Sequence, residues 1–487
     1  MTGESPKPVT NFGRNIRFTP EALFRPRSEV EVLRILDAHR DGTVRAVGAR
    51  HSWNAGIESP DALVDLRHLR QIRLHADRAQ VTVGAGCRIG ELLAHLARYG
   101  LTLPSIGLID RQTVAGAVAT GTHGSGRHSM SHYVEALRIA CYGPGGAAAV
   151  RTVELDRSGN AGRRDSDFAL RAARCSVGAL GIVLEVTLGC VPQYYVREKC
   201  VWVGGLDEAL EREAGAPLQQ FYLIPHSWEY LVHDRQVAAR NRRTGAAALY
   251  RVYRLLVIDV LLHLAIKLTA SLFRSRRLVH LLYRRLLRAF IVPGWCVTDR
   301  SDRQLLMRHD LFRHMEMEFF VRRRHLAEAI EMTTEVLRAA DDAQHGIHPG
   351  VRARIEELGK WRAFSKLRGT YVHHFPICVR RVLPDDTLIS MSSCHGIEPE
   401  DWYAISLITY TEPRGPFEQV ARLIATVLAR GFGARLHWGK WFPPGWSDVE
   451  EMYPGLSPFR QVRDEFDPGG VFRNAFLKEH LSGADER

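Results

Sequence analysis

The sequence predicts an α+β fold with two domains and a short C-terminal segment. Runs rich in β-branched residues alternate with amphipathic helical runs between residues 15 and 110, and further strands follow. The length of 487 residues exceeds that of one typical domain, and 45% hydrophobic with 25% charged residues is usual for a folded protein. We place the domains at 15–195 and 196–440, and we expect the segment 441–487 to pack back onto the first domain.

The individual elements follow from the periodicity of the apolar residues. Helices are predicted where these residues recur at i, i+3 and i+4, at 28–40 and 88–100. Strands are predicted in the β-branched runs at 43–49, 62–66, 80–86, 135–143 and 182–191. In the second domain the same rules predict a strand at 315–321 and an amphipathic helix at 325–340.

Positive charge is concentrated in one segment. The 66 Lys and Arg residues exceed the 54 Asp and Glu residues by 12, and residues 235–292 contain thirteen basic residues and one acidic residue. This segment therefore accounts for the whole excess. Every window of 20 residues contains a charge, so no transmembrane helix is expected, and no signal peptide is visible. Eight cysteines without a CxxC pair indicate reduced thiols and a cytoplasmic location.

The first candidate binding motif is AVGARHSW at residues 46–53. A predicted strand ends there in a turn whose small residues, Gly48 and Ala49, let backbone N–H groups converge on an anion such as a pyrophosphate. His51 would lie beside the bound group, where an imidazole nitrogen could attack an electrophilic carbon of a cofactor. The alternative is an ordinary loop histidine held by a hydrogen bond.

A second glycine-rich stretch begins with PSIG at 104–107 and continues as TVAGAVATGTHGSG at 113–126. Glycines remove side chains where backbone must contact a flat or charged ligand. A flexible loop is the alternative, but the apolar residues between the glycines indicate a packed segment. The GAGCRIG sequence at 84–90 is one residue too long for a dinucleotide fingerprint, and no P-loop or GxSxG sequence occurs. We predict no metal site, because His123, His128 and His132 lack carboxylate or cysteine partners in a ligand pattern.

These motifs, with SVGALGIV at 176–183, HWGK at 437–440 and DPGGVF at 467–472, resemble the vanillyl-alcohol-oxidase superfamily of flavoproteins, in its sugar-lactone and alditol oxidase branch. The resemblance covers residues 15–230 and 310–480. It implies a PCMH-type FAD-binding domain of two subdomains and a mixed α/β substrate (cap) domain with an antiparallel sheet. It also implies FAD as the cofactor, bonded covalently through its 8α carbon to His51.

The cofactor-binding residues expected from the glycine pattern and the resemblance lie in four segments of the chain. Most belong to the two glycine-rich motifs, and the others come from the sequences at 176–183 and 437–440. They are Val47, Gly48, Ala49, Arg50, His51, Ser52, Ser105, Thr113, Val114, Gly116, Thr120, Gly121, His123, Gly124, Gly126, Gly178, Gly181, Ile182, His437 and Lys440.

The reacting centre is predicted on the strand at 315–321. Alternation places Glu316, Glu318 and Phe320 on one face of this strand. Two carboxylates in an apolar strand are costly unless they serve a polar cavity, and a solvent-facing edge strand is the alternative.

The resemblance assigns further roles at this centre. It implies that Glu316 binds substrate hydroxyl groups, that Lys440 lies near the flavin and the substrate, and that Arg380 lines the pocket. It also reveals two departures from the family pattern. Some relatives, including alditol oxidases, carry Arg at the position of Glu318, and Cys378 stands where a Glu is usual.

The implied activity is that of an FAD-dependent oxidoreductase acting on the CH–OH group of a sugar lactone, polyol or related alcohol. Hydride passes to flavin N5, the hydroxyl proton leaves to a nearby base, and oxygen or another acceptor reoxidises the flavin. We place Glu316, Glu318, Lys440 and Arg380 around that hydroxyl group. The alternatives are an oxidoreductase for a lipid-like or natural-product alcohol at a membrane surface, and a non-catalytic, membrane-associated flavin-binding protein.

A basic helical insertion is predicted at 235–295, and its part at 245–292 has no counterpart in compact members of this family. The sequence indicates two amphipathic helices, each with a polar stripe at spacings of three or four residues among apolar residues. The stripes comprise Asp259, His263 and Lys267 in the first helix and Arg277, His280, Arg284 and Arg288 in the second. Two interpretations stay open: helices lying on an anionic membrane, and a helical cap over the substrate domain. Nucleic-acid binding is not expected, because interleaved stacking aromatic residues and known motifs are missing.

Overall fold

The computed structural model describes residues 7–143, 145–155, 164–308, 311–446 and 449–483. Its strands are β1 (Val9–Thr10), β2 (Arg17–Phe18), β3 (Ala22–Phe24), β4 (Val44–Val47), β5 (Ala62–Asp65), β6 (Ile72–His75), β7 (Gln80–Gly84), β8 (Leu101–Thr102), β9 (Val134–Tyr142), β10 (Ala148–Glu154), β11 (Ile182–Gly189), β12 (Val191–Pro192), β13 (Tyr195–Val203), β14 (Gln220–Leu223), β15 (Tyr230–Val237), β16 (Cys296–Arg300), β17 (Met315–Arg322), β18 (Ile377–Val382), β19 (Trp402–Thr409) and β20 (Arg435–Leu436).

The helices lie between and after these strands. They are α1 (Glu29–Ala38), α2 (Ile89–Ala97), α3 (Val114–Ala119), α4 (Arg164–Ala173), α5 (Leu206–Glu211), α6 (Ala247–Leu272), α7 (276–290), α8 (Ser301–Gln304), α9 (Leu326–Asp341), α10 (Pro349–Glu357), α11 (Trp361–Leu367), α12 (Gly415–Phe432), α13 (Val449–Met452), α14 (Leu456–Phe466) and α15 (Ala475–Leu481). Each strand and helix predicted from periodicity is present within one to three residues, and the predicted α+β class is confirmed.

The N-terminal region contains two larger sheets, besides the two-stranded pairs β1–β2 and β8–β12. One is parallel, with the order β3–β5–β4, and the other is antiparallel, with the order β10–β9–β11–β7–β6. Helices α1 and α4 pack on β9 and β10. Ser28 accepts a hydrogen bond from Glu31 N and so caps α1 in the way that its sequence position indicates.

The second region is organised around one antiparallel sheet of eight strands, in the order β16–β13–β15–β14–β18–β19–β17–β20. Strand β17, which carries Glu316 and Glu318, lies between β19 and β20 and is buried from Met315 to Val321. The alternative of a solvent-facing edge strand is therefore wrong. Both faces of β17 are covered, so its apolar residues pack in the core while its carboxylates face an interior cleft.

The insertion forms α6 and α7, which pack on the eight-stranded sheet. Leu262, Ile266 and Leu287 join Tyr222 and Leu231 of the sheet in one buried apolar cluster. Contrary to the sequence-based expectation, α6 is long and apolar enough, by length and composition only, to cross a membrane. A charge occurs in every window of 20 residues, but those within α6 are too few to outweigh its Leu, Ile and Val residues.

The C-terminal segment contacts the parallel sheet of the N-terminal region. Val44 N donates to Val471 O (2.9 Å), and Asn474 Nδ2 donates to the carbonyl oxygens of Ala55 (2.9 Å) and Glu58 (2.8 Å). Asp467 fixes the DPGGVF turn by accepting hydrogen bonds from the backbone N–H groups that follow it. This turn therefore delivers its backbone to the edge of strand β4.

Candidate active site

A long cleft separates the N-terminal sheets from the eight-stranded sheet. Counting the space open to solvent, it encloses about 1760 Å³. Glu316, Glu318 and Arg380 line it on the side of the large sheet. The predicted cofactor residues that line it are Val47, Gly48, Ala49, Arg50, His51, Ser52, Thr113, Gly116, Thr120, His123, Gly178, Gly181, Ile182, His437 and Lys440.

Five predicted cofactor residues do not line this cleft. Val114 is fully buried in the core. A Cβ at Gly121 would contact Met391, and one at Gly126 would meet the carbonyl of Pro217, so these two glycines permit close chain packing. Ser105 and Gly124 line a small neighbouring pocket behind the cleft wall.

The two glycine-rich motifs meet at one end of the cleft. A Cβ at Gly48 would lie 2.1 Å from Thr113 Oγ1, so only glycine allows the first turn to approach the start of α3. Thr113 caps α3 by accepting a hydrogen bond from Gly116 N (3.4 Å). The third glycine segment joins them from the other side, where Val177 (φ 52°) and Gly178 (φ 72°) adopt left-handed backbone conformations.

The segment after β20 connects the first motif to the reacting centre. Trp53 N donates to Gly439 O (3.0 Å), and Asn54 Nδ2 donates to Trp438 O. Lys440 Nζ lies 4.7 Å above the Trp53 ring. His51, two residues before Trp53, stacks on Phe12 with 4.9 Å between the ring centres. The turn at 46–53 and the Lys440 segment are thus held against each other.

Strand register explains how the polar and apolar parts of the site are arranged. Glu318 lies opposite Ser406, Ser406 opposite Cys378, and Cys378 opposite Tyr222. Residues opposite each other on adjacent strands point to the same face of a sheet. The side chains in this row across four strands therefore change from a carboxylate to a hydroxyl, then to a thiol, and finally to an aromatic ring.

Glu318 is the centre of a buried network of charges and hydrogen bonds. Its Oε1 accepts from Arg380 Nη2 (2.6 Å) and Ser406 Oγ (2.8 Å), and His437 Nε2 lies 3.8 Å from Oε2. Burial alone would raise the pKa of Glu318, but the Arg380 guanidinium, with His123 and Lys440, holds it well below its usual range. Glu318 is therefore an anion at neutral pH, and it anchors its neighbours.

A second ion pair, between Lys440 and Glu316, lies two residues away from Glu318 on strand β17. Lys440 Nζ donates to Glu316 Oε2 (2.5 Å) and lies 3.9 Å from Glu318 Oε2. Backbone bonds fix this pair, because Trp441 N donates to Glu316 O and His437 N to Glu318 O, each at 2.9 Å. The lysine is thereby placed between the two carboxylates at the edge of the cleft.

Two histidines of the cleft, His123 and His437, are neutral at neutral pH. Burial lowers the pKa of His437 well below its usual value, and burial together with Arg380 lowers that of His123. His437 Nδ1 accepts a hydrogen bond from Gly439 N (2.9 Å), so Nε2 carries the proton of the neutral ring. These rings add hydrogen-bonding groups to the cleft without adding charge.

Several cleft residues were missed by reasoning from the sequence. Arg45, from the middle of β4, donates to the carbonyls of residues 56, 177, 178 and 472 and so ties three cleft segments together. His314 also lines the cleft, and burial with the nearby Lys440 charge lowers its pKa to about 3. Ser406 and Tyr222 enter through strand register. Among these residues, only Arg45 could have been noticed in the sequence, because it is a basic residue inside the buried strand VRAV.

The described residues fit FAD. Near the three glycine-bearing segments, backbone and small residues such as Ala46, Ala115 and Ala119 form the walls, which suit a flat ring system and a pyrophosphate. A Cβ at Gly181 would lie 2.4 Å from Ala140 O, which shows how tightly this wall is assembled. The cleft leads from there to the Glu316 and Lys440 pair, where an alcohol can be held against the cofactor.

Comparisons with known proteins agree with this geometry. A family model described as FAD binding domain matches residues 20–146, and one described as D-arabinono-1,4-lactone oxidase matches residues 186–480. A long-chain alcohol oxidase from an uncultured marine euryarchaeote is 47% identical over 468 residues, which cover 95% of each chain. An alditol oxidase from a Streptomyces species is 28% identical over 492 residues, covering 98% of this chain and 99% of that protein.

The solved structure of a solvent-stable cholesterol oxidase has a TM-score of 0.73 to this chain, at 17% identity, and the match covers 98% of each chain. This likeness shows the shared PCMH-type fold. The family models extend the assignment to the cofactor, which is FAD, and to the reaction class, which is oxidation of CH–OH donors. The resemblance inferred from the motifs is thereby confirmed: the chain belongs to the sugar-lactone and alditol oxidase family of FAD-dependent oxidoreductases.

Proposed function

We propose that this chain is an oxidoreductase for long-chain aliphatic alcohols, with FAD attached covalently to His51. The observation that carries the substrate class is an apolar pocket next to the cleft, beneath the insertion helices. Tyr222 and Phe375 line both spaces, so the pocket continues from the end of the cleft where the polar row gives way to apolar residues.

The pocket suits a hydrocarbon chain. Ile224 and Leu231 line it from the sheet, and Ile258, Leu262 and Ile266 line it from α6. Its two arginines are already occupied by the protein. Arg235 pairs with Glu198, and Arg254 donates to three backbone carbonyls between residues 303 and 306. Burying each methylene group of a substrate here stabilises binding by about 0.8 kcal/mol.

Cys378 marks the transition between the two spaces. It belongs to the same buried apolar cluster as Tyr222, Phe375 and Ile408. Burial raises the pKa of its thiol to about 11, so the side chain is neutral at physiological pH. A carboxylate at this position would favour a second hydroxyl group of a sugar, whereas a neutral thiol favours a methylene group.

When bound, FAD supplies the acceptor for the hydride of the CH–OH carbon. The chain contributes the groups that hold the hydroxyl. Glu316 is positioned to accept its proton, and Lys440 stabilises negative charge on the oxygen. Glu318 fixes Arg380 and Ser406 beside them, and the neutral His437 adds no competing charge.

The covalent link rests on the position of His51. The residue lines the cleft within the first glycine motif, and its ring is oriented by stacking on Phe12. Absorbance of the flavin that stays with acid-precipitated protein supports this link, and His51→Ala should release the flavin into the supernatant. Flavin released from the unmodified protein would contradict the covalent bond but not the substrate class.

Sugar lactones and polyols, which the sequence alone favoured, are the second substrate class, because the Glu316–Lys440 pair can also bind hydroxyl groups of a polar substrate. The two classes separate in one experiment. Purified protein is mixed without oxygen with primary alcohols of increasing chain length, with lactones and with alditols, and flavin bleaching is followed. We expect the second-order rate of bleaching to rise with chain length. Faster bleaching by a lactone or alditol than by every long alcohol would overturn the proposal, and oxygen or artificial acceptors added afterwards identify the electron acceptor.

A further inference from the structure

We propose that the outer face of the insertion helices docks in the plane of an anionic lipid bilayer. Among the described residues, sixteen large hydrophobic side chains are exposed, and twelve of these lie between residues 249 and 292. We call these twelve the insertion surface. Its most exposed members are Leu249 (63%), Leu272 (67%) and Phe273 (61%). Exposed apolar patches of this extent mark interaction sites rather than ordinary surface.

Unlike an ordinary surface helix, α6 keeps polar residues on its inner face and apolar residues on its outer face. Its polar residues Asp259 and His263 are 2% and 3% exposed and face the protein, whereas Leu255, Leu256 and Leu261 face outward. A helix cap in contact with water would place these residues the other way round. The outward face therefore requires an apolar environment.

The charge of the same segment selects the kind of lipid. Residues 235–292 carry thirteen basic residues and one acidic residue. Arg277 and Arg285 are exposed on α7, next to the exposed Leu278, Leu281 and Leu286. Each basic residue near an anionic surface raises affinity about fivefold. Apolar side chains bordered by arginines match the interface of an anionic leaflet.

The helices lie on the bilayer rather than cross it. The inner face of α6 packs on the sheet through Tyr250, Leu262 and Ile266, so only the outer face is available to lipid. This arrangement places the apolar pocket directly beneath helices in contact with lipid. Resting on the proposed function, it gives a long alcohol a short path from the bilayer to the cleft.

The test is flotation of the full-length, flavin-containing protein with phosphatidylcholine vesicles and with vesicles that also contain phosphatidylglycerol. We expect binding to the anionic vesicles and release at high salt. The variant Leu256→Gln/Phe273→Gln should bind at least tenfold more weakly, since each substitution removes an exposed apolar side chain that the bilayer would bury. The matched control Val30→Gln/Tyr99→Gln changes two equally exposed apolar residues outside the insertion surface and should bind like the unmodified protein.

A second pair of variants tests the electrostatic part. Arg277→Gln/Arg285→Gln should weaken binding to anionic vesicles about thirtyfold, whereas Arg98→Gln/Arg362→Gln should not. Flavin absorbance and the thermal midpoint report that each variant is folded.

Equal flotation of all variants, or equal binding to neutral vesicles, would overturn the proposal. So would a dimer in solution that the Leu256→Gln/Phe273→Gln change dissociates, because the surface would then be a protein interface. No substrate is needed, so failure here leaves the proposed function untouched.

Discussion

The reacting centre and the pocket beneath the insertion helices share Tyr222 and Phe375 but differ in their chemistry. The reacting centre gathers two carboxylates, a guanidinium and an ammonium group in contact with one another, almost without solvent. The pocket is mostly apolar, and its arginines are satisfied by the protein. The difference indicates that the chemistry of the family and the choice of substrate are located in separate parts of the molecule.

The two regions are also formed by different elements of the chain. The reacting centre is formed by β17, β18, β19 and the segment after β20, within the part of the chain that matches the family models. The pocket is lined in part by α6 and α7, which lie within the same matched part of the chain. Changes in the first region should therefore affect all substrates alike, and changes in the second should discriminate among them.

The largest effect is expected for Glu316→Gln. The amide cannot accept the hydroxyl proton, so kcat should fall by about 10²–10⁴-fold for short and long alcohols alike. Anaerobic flavin reduction measured against chain length checks this expectation, with Glu328→Gln on the surface of α9 as the control. An unchanged kcat with a raised KM would show that Glu316 only binds substrate. A fall in kcat confined to long alcohols would contradict the division between the reacting centre and the pocket.

The second-largest effect is expected on the free energy of unfolding when the buried charge network loses a partner. Arg380→Met leaves the Glu318 carboxylate buried without its main cation and should lower the free energy of unfolding by ~3–5 kcal/mol. Arg381→Met on the same strand removes partly exposed contacts to Glu213, Asp401 and the Pro217 carbonyl and should cost less than about 1 kcal/mol. Thermal unfolding of both variants measures the difference. Similar losses of unfolding free energy in the two variants would mean that the buried charge network contributes no more than a partly exposed ion pair. Adding Glu318→Gln to Arg380→Met should restore part of the stability.

Much of the reacting centre could be predicted because its residues occur in local patterns. The period-two alternation around Glu316 and Glu318 is visible in eight residues, and His51 and Lys440 lie in short motifs. Ser406 could not be found in this way, because it reaches the cleft through its register with β17 and nothing in its immediate sequence reports on that contact. His314 was missed because the predicted strand begins at residue 315, although His314 continues the alternation of Glu316 and Glu318 by one step.

The insertion shows a different limit of sequence reasoning. The i, i+4 spacing correctly groups Asp259, in a π-helical stretch of α6 at Arg254–Leu262, with His263 on one face of the helix, but it does not say whether protein or solvent covers that face. The sheet offers an apolar wall along most of α6, and that wall covers the side carrying the two polar residues. The glycine pattern has a similar ambiguity, because Gly121 and Gly126 serve chain packing whereas Gly48 lines the cleft.

The pocket gives the third prediction. Ile258→Trp should fill the space from α6 and lower kcat/KM for long alcohols by about 10–100-fold, because methylene groups lose their binding site. Short alcohols, which do not reach the pocket, should react as before. Val257→Trp at the adjacent position, which does not line the pocket, is the control. Equal losses for short and long alcohols would contradict the division between the two regions.

The smallest effect is expected where the regions meet, at His314, which contacts Tyr410 on one side and feels the Lys440 charge on the other. Its pKa is about 3 in the folded protein, against an ordinary value near 6.5.

Between these values the unfolded chain binds a proton that the folded protein does not, so stability is lost as the pH falls below 6.5. The loss amounts to about 1.4 kcal/mol per pH unit for this group. His314→Gln should reduce the slope of the unfolding free energy between pH 5.5 and pH 4.5, where the unfolded histidine is almost fully protonated, by about that amount, whereas His348→Gln, at a surface site, should leave the slope unchanged. A steeper slope in His314→Gln would mean that His314 is protonated in the folded state, and the centre would then hold one more positive charge than its geometry indicates.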